Sequence, residues 1–146
     1  MSALRILTSV CMVFSSAFMP SGGDVGEPMV RVADRLEYAR SLPLEQRLDF
    51  YEEIYGQSGH PQDSSLSFAF ENEGEAGFQA AALRMTSRSR FYGMIWVVKA
   101  IDQAGGIDAC SYNHAEVLRD RAIALRMSQR DLMYITFRNC DLESLY

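Results

Sequence analysis

An all-α fold is what this sequence predicts: a single compact bundle of about five helices behind an N-terminal signal segment. Three observations predict it. Apolar residues recur at three- and four-residue steps over most of the chain, the spacing of a helix face. Helix starts and stops punctuate that pattern, with proline or a small polar residue in front and glycine behind. The stretch from Phe91 to Ile101, FYGMIWVVKAI, is a nearly unbroken apolar run that holds the only tryptophan, Trp96, and a single charge, Lys99. A run of that composition is expected to be covered on most of its circumference, which makes it the central core element. The alternative is an α+β fold with short strands near 66–70 and 91–98, because Phe, Tyr, Ile, Trp and Val favour strands.

At the N-terminus, Arg5 is followed by the largely apolar Ile6 to Phe14 and then by the small residues Ser15-Ser16-Ala17. That order is the pattern of a secretory signal peptide over 1–17. The apolar run falls short of the ~20 residues a membrane span needs. Residues 18–26, with Pro20-Ser21-Gly22-Gly23-Asp24, read as a flexible linker, leaving 27–146 as one helical domain. The alternative keeps the first residues as an amphipathic helix of a cytoplasmic protein.

Glu27-Pro28 reads as a helix start, and Met29, Val32, Ala33, Leu36 and Ala39 trace one stripe over about 28–41. Leu42-Pro43 opens a second helix, with Leu44, Leu48, Tyr51 and Tyr55 on its apolar side and Gly56 as its stop. Residues 56–65 have the composition of a loop, and 66–70 are expected to be an extended or short helical piece pressing Phe68 and Phe70 onto the core. After a turn at 71–75 the chain turns helical from Gly77, with Phe78, Ala81, Ala82 and Met85 inward. Thr86 to Arg90 interrupts the pattern, so either one long helix passes through or Ser87 or Ser89 caps a new one. In the central run Phe91, Ile95, Val98 and Asp102 share one face and Tyr92, Trp96 and Lys99 another, with Gly105-Gly106 as terminator. Asn113 with Glu116, and Ser128 with Asp131, are spaced as capping boxes for helices over 114–127 and 129–140. The tail DLESLY ends in Leu145 and Tyr146 and is expected to pack.

Of the three cysteines, Cys11 lies inside the signal, leaving Cys110 and Cys140 as a pair. Placed at the open end of the last helical hairpin, they are expected to form a disulfide closing a loop of 30 residues, worth ~3–4 kcal/mol in the chain-entropy picture. With 48% apolar residues the chain has material for a real core. Its net charge of −5 argues against sequence-independent nucleic-acid binding, which needs a basic footprint.

Catalytic chemistry is thinly represented. Two histidines are present: His60 beside Asp63 in a loop, and His114 near Cys110 and Glu116, the set a small hydrolase-like enzyme would draw on. Two cysteines without matching His spacing make a poor metal site, so neither a metal nor a cofactor is expected. Phosphate loops, nucleophile elbows and haem-attachment motifs are absent from the sequence. The scattered methionines, Met85, Met94, Met127 and Met133 among them, fall at core-like positions and read as gap-fillers. Arg84, Arg88 and Arg90 form the one basic cluster, a patch for an acidic partner, a phosphate or the protein's own acidic 45–75 region. The reading that these features favour is a periplasmic or secreted helical protein acting through another protein, as an inhibitor, immunity-type factor, adaptor or chaperone.

Overall fold

The computed structural model describes residues 32–58 and 61–145. The signal segment, the linker, Cys11, the helix start at Glu27-Pro28, His60 and Tyr146 lie outside the described residues. Five α-helices of ten residues or more make up the body: α1 (Val32–Ser41), α2 (Leu44–Ser58), α3 (Gly74–Arg84), α4 (Arg88–Gln103) and α5 (Tyr112–Ala124). A single helical turn follows, α6 (Gln129–Leu132), and 3-10 helices occupy Pro61–Phe70 and Leu142–Leu145. Among the described residues no strand forms beyond one isolated antiparallel bridge between Thr136 and Asp141. The all-α fold is therefore the observed one, and both stretches that carried the strand alternative, 66–70 and 91–98, are helical. No helix among the described residues is long and apolar enough to cross a membrane.

α4 is the central element. Phe91, Met94, Ile95, Val97, Val98, Ile101 and Asp102 are buried, and the helix packs on α3, on α2 and on the 3-10 helix Pro61–Phe70. It begins where the polar interruption ends, because the Ser87 side chain accepts the Arg90 amide at 3.2 Å and so satisfies one of the unpaired first-turn donors. Its approach to α3 is close: a Cβ on Gly77 would lie 2.9 Å from Ile101 Cδ1, inside contact distance. It ends in a Schellman arrangement around Gly105, whose φ of +80° suits glycine, with the Gly106 amide bonded to Ile101 O at 2.9 Å and the Gly105 amide to Asp102 O at 3.0 Å.

The C-terminal end of α4 is clasped twice. Asp102 has no solvent exposure, and its carboxylate accepts the Ala109 amide at 3.0 Å and the Arg138 amide at 2.7 Å. Cys110, one residue after Ala109, forms the expected disulfide with Cys140, two residues after Arg138, the Cα atoms standing 5.9 Å apart. One buried charge and one covalent bond thus join the same two segments, 107–110 and 138–140, to each other at the end of the central helix.

Several local expectations are corrected. α2 does not stop at Gly56 but runs on to Ser58, since Gly56 does not adopt the left-handed φ that would end the helix there. Ala33 is exposed rather than part of the α1 stripe, whose buried member is Ala39. Phe70 is fully buried, but Phe68 is 46% exposed, because in the 3-10 helix two residues no longer share a face as they would in a strand. α5 starts at Tyr112 behind Ser111, so Asn113 is inside the helix and forms no capping box with Glu116. The Ser128–Asp131 box does form, with Asp131 accepting the Ser128 amide at 2.7 Å. The helix predicted over 129–140 lasts one turn. Leu132 and Ile135 are buried at their helical spacing, yet the chain turns back through the Thr136–Asp141 bridge and the Leu142 amide bonds to Ile135 O at 2.8 Å. That return buries Leu142 completely and leaves Met133 42% exposed instead of filling the core. Met85, Met94 and Met127 are buried, as gap-filling requires.

Candidate functional site

The side of α4 that carries Tyr92, Trp96 and Lys99 is not covered as the rest of the helix is. These three are half-buried, and they form the floor of a cleft of about 660 Å³. Such a volume lies within the roughly 300–1,000 Å³ usual for ligand-binding clefts. The cleft is walled by Tyr55 at the end of α2 and by Arg130, Tyr134 and Ile135 from α6 and the turn after it.

Each wall has a local cause. Gly93 keeps the α2 wall close: a Cβ there would stand 3.2 Å from the Tyr55 ring, so any larger residue would push that ring outward by a few tenths of an ångström. Tyr55 in turn stacks on Tyr51 at a centroid distance of 5.7 Å, and the buried Tyr51 hydroxyl donates to Gly93 O at 3.0 Å. Burial, with Tyr55 as neighbour, pushes the Tyr51 hydroxyl far above the ordinary phenol range, so it stays a neutral donor. The opposite wall is fixed by the Ser128 capping box and by Tyr92, whose hydroxyl donates to Asp131 O at 3.2 Å. The Asp131 carboxylate is held below its usual range by the backbone amide and the hydroxyl of Ser128.

The charge on this surface is positive. Lys99 Nζ lies over the Trp96 ring at 4.8 Å, a cation–π contact. Among the described residues neither Lys99 nor Arg130 has a carboxylate partner. A smaller depression of about 80 Å³, lined by Phe68, Ser67 and Gln103, shares Trp96 and Lys99 with the main cleft and prolongs it toward the 3-10 helix.

The arginine cluster flagged in the sequence is dispersed over internal contacts. Arg84 reaches Glu45 and Asp49 at 2.7 Å and Glu52 at 2.8 Å, all on α2, which is the protein's own acidic region. Partial burial works against its charge, but the hydrogen bonds to Glu45, Asp49 and Glu52 outweigh it and raise the guanidinium further. Arg90 Nε stands 3.2 Å from Glu52 Oε1, off the line of a hydrogen bond. Arg88 donates to the carbonyls of Leu125 and Arg126 at the end of α5.

His114 is also committed. Its Nε2 is 2.7 Å from Glu75 Oε2 and its Nδ1 is 2.7 Å from Asp108 O, with Ser111 Oγ at 2.9 Å and the Phe78 ring packed edge-on at 4.5 Å. Two acceptors facing two ring nitrogens are both satisfied only by the imidazolium. Desolvation opposes that form, but the Asp108 carbonyl and the Glu75 carboxylate prevail and raise the His114 pKa. The Gln79 amide and then His114 lower that of Glu75. Cys110 is bonded to Cys140 and Glu116 to the Tyr112 hydroxyl, so no hydrogen bond links His114 to either of the groups the sequence offered as its catalytic companions.

No protein-family model, curated protein or solved structure matches this chain. The arrangement itself therefore carries the functional argument. Among the described residues the cleft brings together an aromatic floor, two cations without a carboxylate partner and no nucleophile hydrogen-bonded to a base. Sequence reasoning missed the cleft because Tyr55, Trp96 and Tyr134 are about forty residues apart and each resembles a core residue by itself. The pairing of Trp96 with Lys99 on one helix face was the only local signal.

Proposed function

We propose that this chain is an exported, disulfide-clasped helical protein that acts by binding another protein, with the α4 cleft as its contact surface. The observation that carries the reading is that the central helix, packed elsewhere, leaves Tyr92, Trp96 and Lys99 open beside a Tyr134 that is 78% exposed. Tyr, Trp and Arg are the residues that dominate protein-binding energy where they cluster in a concave, partly desolvated patch. Export is supported by the signal pattern of residues 1–17 and by the Cys110–Cys140 bond, which persists in oxidising compartments. Site-specific photo-crosslinking in the native host tests the reading. A photoreactive residue at position 134 is expected to give a discrete adduct with one other protein, whereas the same residue at Ile123, exposed on α5, gives none. Equal labelling from both positions contradicts it. The intact mass of the same material, with and without reductant, reads export directly: loss of the first ~17 residues and no free thiol are expected.

A further inference from the structure

Resting on the binding reading above, we infer that the cleft recognises an acidic segment of its protein partner, in which one or two large apolar side chains are flanked by aspartate or glutamate. Two features of the surface select this chemistry. The first is shape. The main cleft and the smaller depression beside Phe68 meet at Trp96 and Lys99, so the apolar surface is elongated and runs from the turn after α6 across α4 to the 3-10 helix. Phe68 at 46% and Tyr134 at 78% exposure stand toward its two ends. A peptide segment fills such a channel with successive side chains, and a compact small molecule would leave one end empty.

The second feature is charge. The protein carries a net charge of −5, and Arg40, Arg47, Arg84 and Arg90 are paired with its own carboxylates. Lys99 and Arg130, both on the cleft, are cations without a carboxylate partner among the described residues. Asp131, which also lines the cleft, accepts from the Ser128 amide and hydroxyl and is held as an anion, so the lining carries two cations against one carboxylate. At physiological ionic strength the screening length is about 8 Å, so a bound segment senses chiefly the charges that line the cleft, Lys99 and Arg130 against Asp131. The Lys99 ammonium over the Trp96 face can donate to a partner carboxylate there without giving up the ring contact.

Trp96 is the only tryptophan and lies on the cleft floor, so its emission reports occupancy. The experiment is a fluorescence titration of the full-length oxidised protein with three blocked hexapeptides. One has Phe-Leu between pairs of acidic residues, one has the same core between pairs of lysines, and one has Ala-Ala between the acidic pairs. The acidic Phe-Leu peptide is expected to shift Trp96 emission saturably, and the other two to bind at least about tenfold more weakly. Lys99→Met and Tyr134→Ala are each expected to weaken the acidic peptide about five- to tenfold, with Lys99→Arg restoring most of the loss and melting temperatures unchanged. Equal binding of the lysine peptide, equal binding of the Ala-Ala peptide, or no saturable shift by about millimolar concentration overturns the inference. So does a Trp96 emission change on raising the protein concentration alone, which assigns the cleft to a second copy, or a Trp96 already shielded from acrylamide in the free chain, which assigns it to this chain's own remaining residues. A single partner crosslinked at position 134 together with peptides that bind indiscriminately would sink this inference and leave the binding reading standing.

Discussion

Within two turns of one helix this protein finishes its surface in opposite ways. At the C-terminal end of α4, Ile101 and Asp102 have no exposure, Gly105 and Gly106 turn the chain tightly, and a carboxylate and a disulfide both secure the segments that cross there. On the side that carries Tyr92, Trp96 and Lys99, the same helix meets a cleft of about 660 Å³ and a lysine with no ion pair among the described residues. The closed end places a charge in the interior and satisfies it with two amides, a high-stakes arrangement whose value lies in specifying one conformation. The open side leaves aromatic surface unpacked, a cost to stability that the proposed binding role would explain. Changes at the closed end should therefore act on folding, and changes at the open side on binding.

The largest effect is expected from the disulfide. Reduction, or Cys110→Ser with Cys140→Ser, should cost about 3–4 kcal/mol for a loop of 30 residues. Next is Asp102→Ala. It strands the buried Ala109 amide and the part-buried Arg138 amide and should lower unfolding free energy by about 2–4 kcal/mol in denaturant titration. A loss under about 1 kcal/mol would mean that the charge is dispensable to the closed end. Because both clasps join the same segments, the two losses should be non-additive by more than about 0.5 kcal/mol in a double cycle; simple addition would show that they act independently.

How α5 ends sharpens the contrast with the glycine turn of the closed end. It too closes in a Schellman arrangement, with the Met127 amide on Ala122 O at 3.0 Å and the Arg126 amide on Ile123 O at 2.9 Å, but the left-handed position, φ +53°, is held by Arg126. Arg126→Gly should stabilise by up to about 1 kcal/mol in thermal unfolding. A destabilisation would show that the Arg126 side chain makes a contact worth more than the backbone strain.

The His114–Glu75 pair gives a smaller, pH-dependent effect, within about 1 kcal/mol because Glu75 is largely exposed. His114 has a raised folded pKa, so its contribution is complete below its unfolded value and is lost as pH rises through the folded one. Glu75 has a lowered folded pKa, so its contribution is present above its unfolded value and is lost as pH falls through the folded one. The stability gap between the parent and His114→Gln should thus be widest around pH 5–6 and shrink above neutrality. A gap that grows toward pH 8–9 would contradict the ion pair. Smallest of all on stability are Lys99→Met and Tyr134→Ala, expected within about 0.5 kcal/mol of the parent even though they weaken peptide binding.

The local punctuation was largely legible in the sequence. A helix start at Ser87 or Ser89, Gly105-Gly106 as a stop, the Ser128–Asp131 box and the pairing of Cys110 with Cys140 all rest on local chemistry that few backbone conformations satisfy. The last helix was misread because Leu132 and Ile135 are buried at a spacing that one helical turn and a tight return share, and the return depends on Leu142 finding a core site. Asn113 and Glu116 were spaced as a box, but Ser111 starts the helix two residues earlier and points its hydroxyl at His114. The run that holds Trp96 reads as the central core element, and its helix is central; that the Trp96 face stays open depends on Gly93, Tyr55 and Tyr134, whose proximity no local pattern encodes. The acidic partners of Arg84 were foreseeable as a region, while Glu45, Asp49 and Glu52 were not foreseeable as a set.

Amide hydrogen exchange on the full-length oxidised protein, with and without the acidic Phe-Leu peptide, tests the division between the two sides most directly. Added protection is expected in 92–99 and 130–135, with 107–110 and 138–140 unchanged because they are already closed. Protection that appears at the closed end, or in neither place, would contradict the assignment of binding to the open side of α4.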